Sequence, residues 1–219
     1  MGSSVSGVGV VDKAATVLGA LEAGPRSLGE LVEATGFSRA TTHRLAVALE
    51  VHGLVRRDED GRFALGVRLV ALGRAAAEAL PLSSAAQPAL RALRDATGES
   101  VQLYVREGDR RVCVAALESP HGLRTIVPMG ASLPLDAGSA GRVLSEGTDG
   151  WVDSVGEREA GVASVSAAVR GPDGAPVAAV SVSGPIERTS RRPGDRYGEA
   201  VLAAAREIEA ATGLRPRPA

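Results

Sequence analysis

Four serines in this chain are spaced so that their hydroxyls could hold a small molecule. Ser164 and Ser166 lie two apart in one alternating run, and Ser181 and Ser183 two apart in the next. Spacing by two puts each pair on a single face of a β-strand. If the turn Gly171-Pro172-Asp173-Gly174 sets Gly171 opposite Pro176, Ser164 faces Ser183 and Ser166 faces Ser181, with Val165, Ala167, Val180 and Val182 on the reverse face. A hydroxyl both donates and accepts, so such a floor suits a small carboxylate, keto acid or amino acid, with loop N–H groups adding anion contacts. It does not suit a highly charged phosphate. The same spacing also describes a polar face turned to water, and the hairpin alone leaves both readings open.

Other chemistry is sparse. No base stands at a recognisable spacing from these serines, as nucleophilic catalysis would require. Cys113, the single cysteine, sits in the run Val112-Cys-Val-Ala-Ala-Leu and reads as a buried thiol of a reducing compartment; a small-metabolite enzyme would have to rest on it. One cysteine with His43, His52 and His121 gives no zinc spacing. Lys13 follows Val-Val-Asp and not a glycine-rich loop, and no G-x-S-x-G elbow occurs. No catalytic residue, metal or cofactor is expected.

A second constellation is basic. Across residues 37–57, Arg39, Arg44, Arg56 and Arg57 stand against Glu50 alone, although residues 1–80 balance at nine Lys+Arg and nine Asp+Glu. A local positive surface is enough for phosphate contacts.

The elements that would position these groups follow from punctuation. Ser27 and Glu30 form a capping-box pattern opening a helix with Leu28, Leu31 and Val32 inward, ended by Gly36. Ser38 offers the next N-cap, and from Arg39 the chain runs without Gly or Pro to His52. An inward stripe of Leu45, Ala48 and Leu49 would leave Arg39, Thr42 and His43 facing outward. Leu54–Arg57 and Arg62–Leu65 flank Asp58-Glu59-Asp60-Gly61, whose Asp-Gly pair is a hairpin signal. Upstream, Asp12 is expected to cap a helix carrying Ala14, Val17, Leu18 and Leu21. Three helices and a hairpin make a winged helix-turn-helix over residues 1–66, a shape that fits the DNA major groove but is also met in domains with no nucleic-acid partner. Residues 67–82 read as an alanine-rich linker helix closed by Pro81, which packs on its own domain or zips to a second copy; the second is preferred because paired half-site reading gains specificity from two-fold symmetry. Residues 83–219 read as an α+β domain: a helix from Ala85 to Ala96, a hairpin around Glu107-Gly108-Asp109, a loop-rich stretch from Pro120 to Gly138, a short helix from Ser139, the serine hairpin, and a helix from about Asp195 to Thr212.

With 219 residues, 44% hydrophobic content and a net charge of −1, the chain holds two modest domains and is no general polycation. No apolar run reaches the ~18–20 residues of a membrane span, so a cytoplasmic location without membrane partners is expected. Met1-Gly2 with Ser6 fits a myristoylation pattern, which a Gly/Ser lead-in explains better.

Together these segments resemble the IclR family of transcriptional regulators. The resemblance runs from Arg39-Ala-Thr-Thr-His-Arg-Leu to Gly61-Arg-Phe-Ala-Leu-Gly, then through Met129-Gly-Ala-Ser-Leu-Pro-Leu, Gly138-Ser-Ala-Gly-Arg-Val-Leu and Val180-Ser-Val-Ser-Gly-Pro-Ile-Glu-Arg. Gly156-Glu-Arg-Glu is similar to the actinobacterial NdgR-type members tied to amino-acid metabolism. The resemblance implies mixed α+β architecture: an N-terminal winged helix, a linker helix and a GAF-like effector-binding domain, acting as a homodimer or dimer of dimers on palindromic double-stranded promoter DNA. It implies DNA contacts at Ser38, Arg39, Thr41, Thr42 and Arg44, with Arg44 as phosphate clamp and Arg56, Arg57 and Arg62 in the wing. It implies effector contacts at the Gly130 and Ala131 backbone and at Ser154, Ser164, Ser181 and Ser183. Where some members carry an acidic residue and a cysteine, this chain has Ser154 and Ser164, and its stretch between Leu144 and Trp151 is shorter than the family's helical segment.

Overall fold

The computed structural model describes residues 6–214, so Met1 and Gly2 of the acylation pattern lie outside the described residues. Two compact units divide between Ala76 and Ala77. No described helix is long and apolar enough to cross a membrane.

In the first unit, α1 (Gly9–Ala20), α2 (Leu28–Thr35) and α3 (Arg39–Val51) precede the strands β1 (Val55–Arg57) and β2 (Phe63–Leu65). The capping box closes in both directions: the Ser27 hydroxyl accepts from the Glu30 N–H at 3.3 Å, and the Glu30 carboxylate accepts from the Ser27 N–H at 2.7 Å. Asp12 does not cap α1. That helix starts at Gly9, and Asp12 lies in its first turn, accepting the Ser6 N–H. Val17, Leu21, Leu31, Ala46, Leu49, Val55 and Phe63 form the core. The wing turns over five residues, one more than the four the flanking runs imply: Arg57 pairs with Phe63, the Asp58 carboxylate accepts the N–H groups of Asp60 and Arg62, and Gly61 takes the left-handed φ of 74° that its missing Cβ permits. Phe63 also exchanges backbone hydrogen bonds with Arg26, which ties the wing to the entry of α2.

The linker helix α4 spans Arg68–Glu78. Pro81 opens α5 (Pro81–Thr97), four residues earlier than the periodicity indicated, because a proline at the first helical position forfeits only an N–H that has no intrahelical acceptor.

The second unit is built on one antiparallel sheet in the order β5-β4-β3-β8-β7-β6, formed by β3 (Ser100–Glu107), β4 (Arg110–Leu117), β5 (Ser132–Pro134), β6 (Trp151–Val155), β7 (Val162–Arg170) and β8 (Pro176–Pro185). α6 (Ser139–Glu146) follows β5, while α7 (Ile186–Thr189) and α8 (Pro193–Ala211) end the chain. α5 and α8 cover one face, where Leu90, Leu93, Val201 and Ile208 meet Val101, Leu103, Val165, Val180 and Val182. α6 covers part of the other, where Val143 and Leu144 pack with Tyr104, Cys113, Ala168 and Ala179. The sheet is therefore largely apolar where these helices cover it, and its buried polar residues include the serines, Gln102 and Arg111.

Candidate nucleic-acid interface and polar cavity

Ser38 caps α3 through its hydroxyl, which accepts from the Thr41 N–H and donates to the Thr41 hydroxyl at 3.0 Å. This fixes the helix's rotation. The inward stripe is Thr42, Ala46 and Leu49, at i, i+4 and i+7, with Ala48 exposed. Thr42 is thus a correction to the outward set: it is fully buried and donates to the Ser38 carbonyl at 3.1 Å, so its hydroxyl cannot reach a base edge. Its methyl group does the packing that the expected stripe assigned to Ala48. Thr41 is half-buried, and Ser38, Arg39, His43 and Arg44 are exposed on the outer face. The first turn carries no acidic residue, so the positive pole of the helix adds to Arg39.

The three wing arginines differ. Arg56 is exposed and forms no ion pair among the described residues. Arg57 lies 4.2 Å from the Phe63 ring centroid and 3.4 Å from the Glu50 carboxylate. Arg62 donates to the Pro25 carbonyl at 2.8 Å and meets Glu30 at 3.3 Å. The two exposed pairs are each worth about 0–1 kcal/mol, so a phosphate could compete for either guanidinium.

In the second unit the serine register is the one the turn implied: Ser164 faces Ser183 and Ser166 faces Ser181, although a bulge near Val169–Arg170 pairs Arg170, not Gly171, with Pro176. The face is not washed by water. Ser166 is fully buried, Ser181 and Ser183 nearly so, and α6 brings a fifth hydroxyl, Ser139, down onto them. Strand β6, unread in the sequence, sets Ser154 directly opposite Ser164. The hydroxyls then form a chain: Ser154 to Ser164 at 3.1 Å, Ser164 to Ser139 at 2.7 Å, Ser139 to Ser166 at 2.8 Å, and Ser166 donating to Ser181 at 2.9 Å. Each hydroxyl holds one proton, so donation by Ser166 to Ser181 makes the whole chain run from Ser154 toward Ser181. Ser183 donates separately to the Gln102 amide oxygen at 3.1 Å.

A cavity of about 20 Å³ opens beside this chain, room for about one water. Ser139, Ser154, Ser164, Ser181 and Ser183 line it, with Gln102, Tyr104 and Arg111 from the central strands and Arg158, Glu159 and Val162 from the β6–β7 connection. Ser166 sits behind that lining, its hydroxyl spent between Ser139 and Ser181. Gly130 and Ala131 are not brought to it: their N–H groups donate to the carbonyls of Cys113 and Pro128, and neither residue lines the cavity. They serve instead to hold the segment before β5 against β4.

Sequence reasoning missed Arg111, Tyr104, Gln102 and Ser139 in the lining, as well as Ala140, Arg158, Glu159 and Val162. Arg111 is 2% exposed, and its Nη1 donates to the carbonyls of Pro134 and Ala137. Its guanidinium lies 5.5 Å from the Tyr104 ring centroid. Desolvation pulls Arg111 below the usual arginine range and pushes the Tyr104 phenol well above its own. Gly141 is obligatory beside it, since a Cβ there would stand 2.2 Å from the Leu135 carbonyl oxygen and 2.5 Å from Arg111 Nη1.

The short connection after α6 is sealed. Arg170 donates to the carbonyls of Gly147, Thr148 and Gly174 and pairs with Asp149 at 3.0 Å, capping the C-terminal end of α6. Cys113 is fully buried, its thiol pushed up to about 12 by burial, so it is not a nucleophile. No cluster of three or more His, Cys, Asp or Glu that could hold a metal occurs among the described residues.

The model of the IclR helix-turn-helix domain matches residues 10–59, and that of the bacterial transcriptional regulator IclR C-terminal domain matches 74–148 and 147–210. The two C-terminal segments meet at the shortened connection. The chain is 26% identical over 230 residues to the transcriptional repressor IclR of Escherichia coli (strain K12), covering 87% of this chain and 84% of that protein. It is 32% identical over 118 residues to the HTH-type transcriptional regulator KipR of Bacillus subtilis (strain 168), covering 54% of this chain and about half, 47%, of that one. The crystal structure of an IclR transcriptional regulator from Alicyclobacillus acidocaldarius superposes with a TM-score of 0.82 at 22% identity, over 94% of this chain and 99% of that one, a likeness of fold.

Proposed function

The chain belongs to the IclR family of DNA-binding transcriptional regulators, which are not enzymes, and from that premise we propose that a small carboxylate or amino acid controls its hold on promoter DNA. The outer face of α3 carries the DNA half of this reading. Arg39, His43 and Arg44 stand exposed there over the buried Thr42–Ala46–Leu49 stripe, with Arg56 of the wing free of ion pairs among the described residues. Arg44 serves as the phosphate clamp, Arg39, Thr41 and His43 approach the groove, and Arg57 and Arg62 brace the wing. The sites are palindromic and the reader is a homodimer or dimer of dimers. Val67, Val70 and Leu72 in and beside α4 support this, being 77%, 74% and 49% exposed, an apolar surface that a second copy would cover.

The serine cavity is the effector site. It admits one water as it stands, so a ligand of several heavy atoms enters only if the lining moves. That is the requirement of linkage: an effector changes promoter occupancy by binding the DNA-competent and incompetent arrangements with different affinity. Ser154 and Ser164 bring neither a negative charge nor a thiol to the site, where some family members are acidic and thiol-bearing. The Gly156-Glu-Arg-Glu run, shared with NdgR-type members, supports amino-acid biosynthesis genes as targets.

A salt-titrated gel shift on the gene's own upstream DNA tests this, with wild type, Arg39→Ala and Arg39→Ala/Arg44→Ala, with and without a panel of amino acids. Specific binding that weakens in the variants and shifts with one ligand is expected. Wild-type binding no tighter than to random duplex at any salt would overturn the DNA reading.

A further inference from the structure

We infer that Arg111 reads the negative charge of the effector, and that the ligand is a small monocarboxylate held between Arg111 and the Ser181 end of the hydroxyl chain. The inference rests on the serine cavity being the effector site.

Arg111 is a buried cation with no ion-pair partner among the described residues; Asp136 and Arg158 act on it only through space and with opposite sign. Its two hydrogen bonds go to main-chain carbonyls, no carboxylate stands within 4 Å of it among the described residues, and its Nε–H is buried without a partner. Burying a charge against dipoles alone is costly, and a donor left unsatisfied adds to the cost. An anion in the adjoining cavity would relieve both. The other charges lining the cavity cancel, since Arg158 pairs with Glu159 at 3.5 Å. Among the charged residues that line the cavity, Arg111 is therefore the one without a paired opposite charge, which suits a monoanion better than a dianion.

The hydroxyl chain supplies the second donor. Its direction leaves the last proton on Ser181, and no described residue accepts it. Arg111 and Ser181 both line the cavity and each keeps one donor unspent, a pair that matches the two oxygens of a carboxylate once a ligand draws them together. Apart from that proton, the serine floor is paired within itself and with Gln102 and carries no charge, so it cannot tell a carboxylate from its amide. That discrimination falls to Arg111.

The test uses the full-length protein. Formate, acetate, lactate and alanine are compared with formamide, acetamide, lactamide and alaninamide by calorimetry and thermal shift, in wild type, Arg111→Gln, Ser164→Ala/Ser181→Ala, and Arg110→Gln as a charge-matched control. At least one carboxylate is expected to bind wild type tenfold or more tightly than its amide, with the preference lost in Arg111→Gln and kept in Arg110→Gln. A preference that survives Arg111→Gln, or no carboxylate binding to wild type, overturns the assignment. Binding lost in the serine variant but kept in Arg111→Gln leaves the cavity as the site and removes Arg111 from it; binding kept in both removes the cavity as well. Should Arg111→Gln fail to fold, nitrogen-15 arginine spectra of wild type decide the matter, with Arg111→Lys giving the assignment. The Arg111 Nε–H resonance must move on addition of the binding carboxylate, and an unmoved resonance overturns the inference.

Discussion

Arg44 and Arg111 are the same side chain under opposite conditions. Arg44 stands in water on the outer face of α3, whereas Arg111 is 2% exposed beneath α6. In the first unit charge lies outside and the core is apolar but for Thr42; in the second, a chain of hydroxyls, an amide and Arg111 itself are buried together. The difference teaches where each unit spends its stability. An exposed arginine costs the fold almost nothing and can be given wholly to a long, anionic partner. A buried one must be supported by fixed carbonyls, an aromatic face and a glycine, and that support shapes a cavity for something small.

The contrast can be broken most forcefully at Phe63. Truncating this 1% exposed side chain to alanine removes the largest member of a small core, with an expected loss of about 3–5 kcal/mol. Urea unfolding followed by hydrogen exchange should show α1–α3 losing protection while β7 and β8 keep theirs; equal loss in both units would mean that they do not divide the stability as described. Next comes the Arg39→Ala/Arg44→Ala pair. Operator affinity should fall by about 10²-fold or more and the slope of log affinity against log salt should shrink by about one for the Arg44 phosphate contact, without change in the unfolding midpoint. An unchanged slope would mean that Arg44 does not touch phosphate.

Smaller effects sharpen the comparison. Ser139→Ala leaves Ser164 and Ser166 each short of a partner, so a loss of about 1–2 kcal/mol is expected in urea, with DNA affinity in the absence of effector unaltered. Smallest is Thr42→Val, which removes the hydrogen bond to the Ser38 carbonyl but keeps the packing. About 1 kcal/mol of stability should go and operator preference should stay; a changed base preference in a binding-site selection would put Thr42 back in the groove.

Much of the fold was legible because its signals are local. Ser27, Glu30, Gly36 and Ser38 announce the ends of two helices within a few residues of sequence, and the serine pairing follows from one turn. What failed was non-local. Thr42 was misplaced because a threonine's methyl can serve a core while its hydroxyl bonds back to the helix, so a polar-equals-outward rule turns the helix the wrong way. β5 and β6 are three and five residues long and lie at the sheet edges, where too few residues alternate to reveal them. Arg111 was hidden by register. The bulge at Leu103–Tyr104 puts Cys113, and not Val114, across from Tyr104, and with it turns Arg111 inward. Nothing in Asp109-Arg110-Arg111 says which arginine will be swallowed.

The serine chain also behaves as more than a lining. Because each of its links uses a proton the neighbour cannot supply, its direction is shared: no single hydroxyl can turn without stranding the next, and reversal means five rotations together. It amounts to one collective dipole laid across β6, β7, β8 and α6. An acceptor arriving at Ser181 holds that dipole in its present sense, and a donor arriving there opposes it. The polarity of a ligand at one end is thereby registered at Ser154, two strands away, without any backbone having to move.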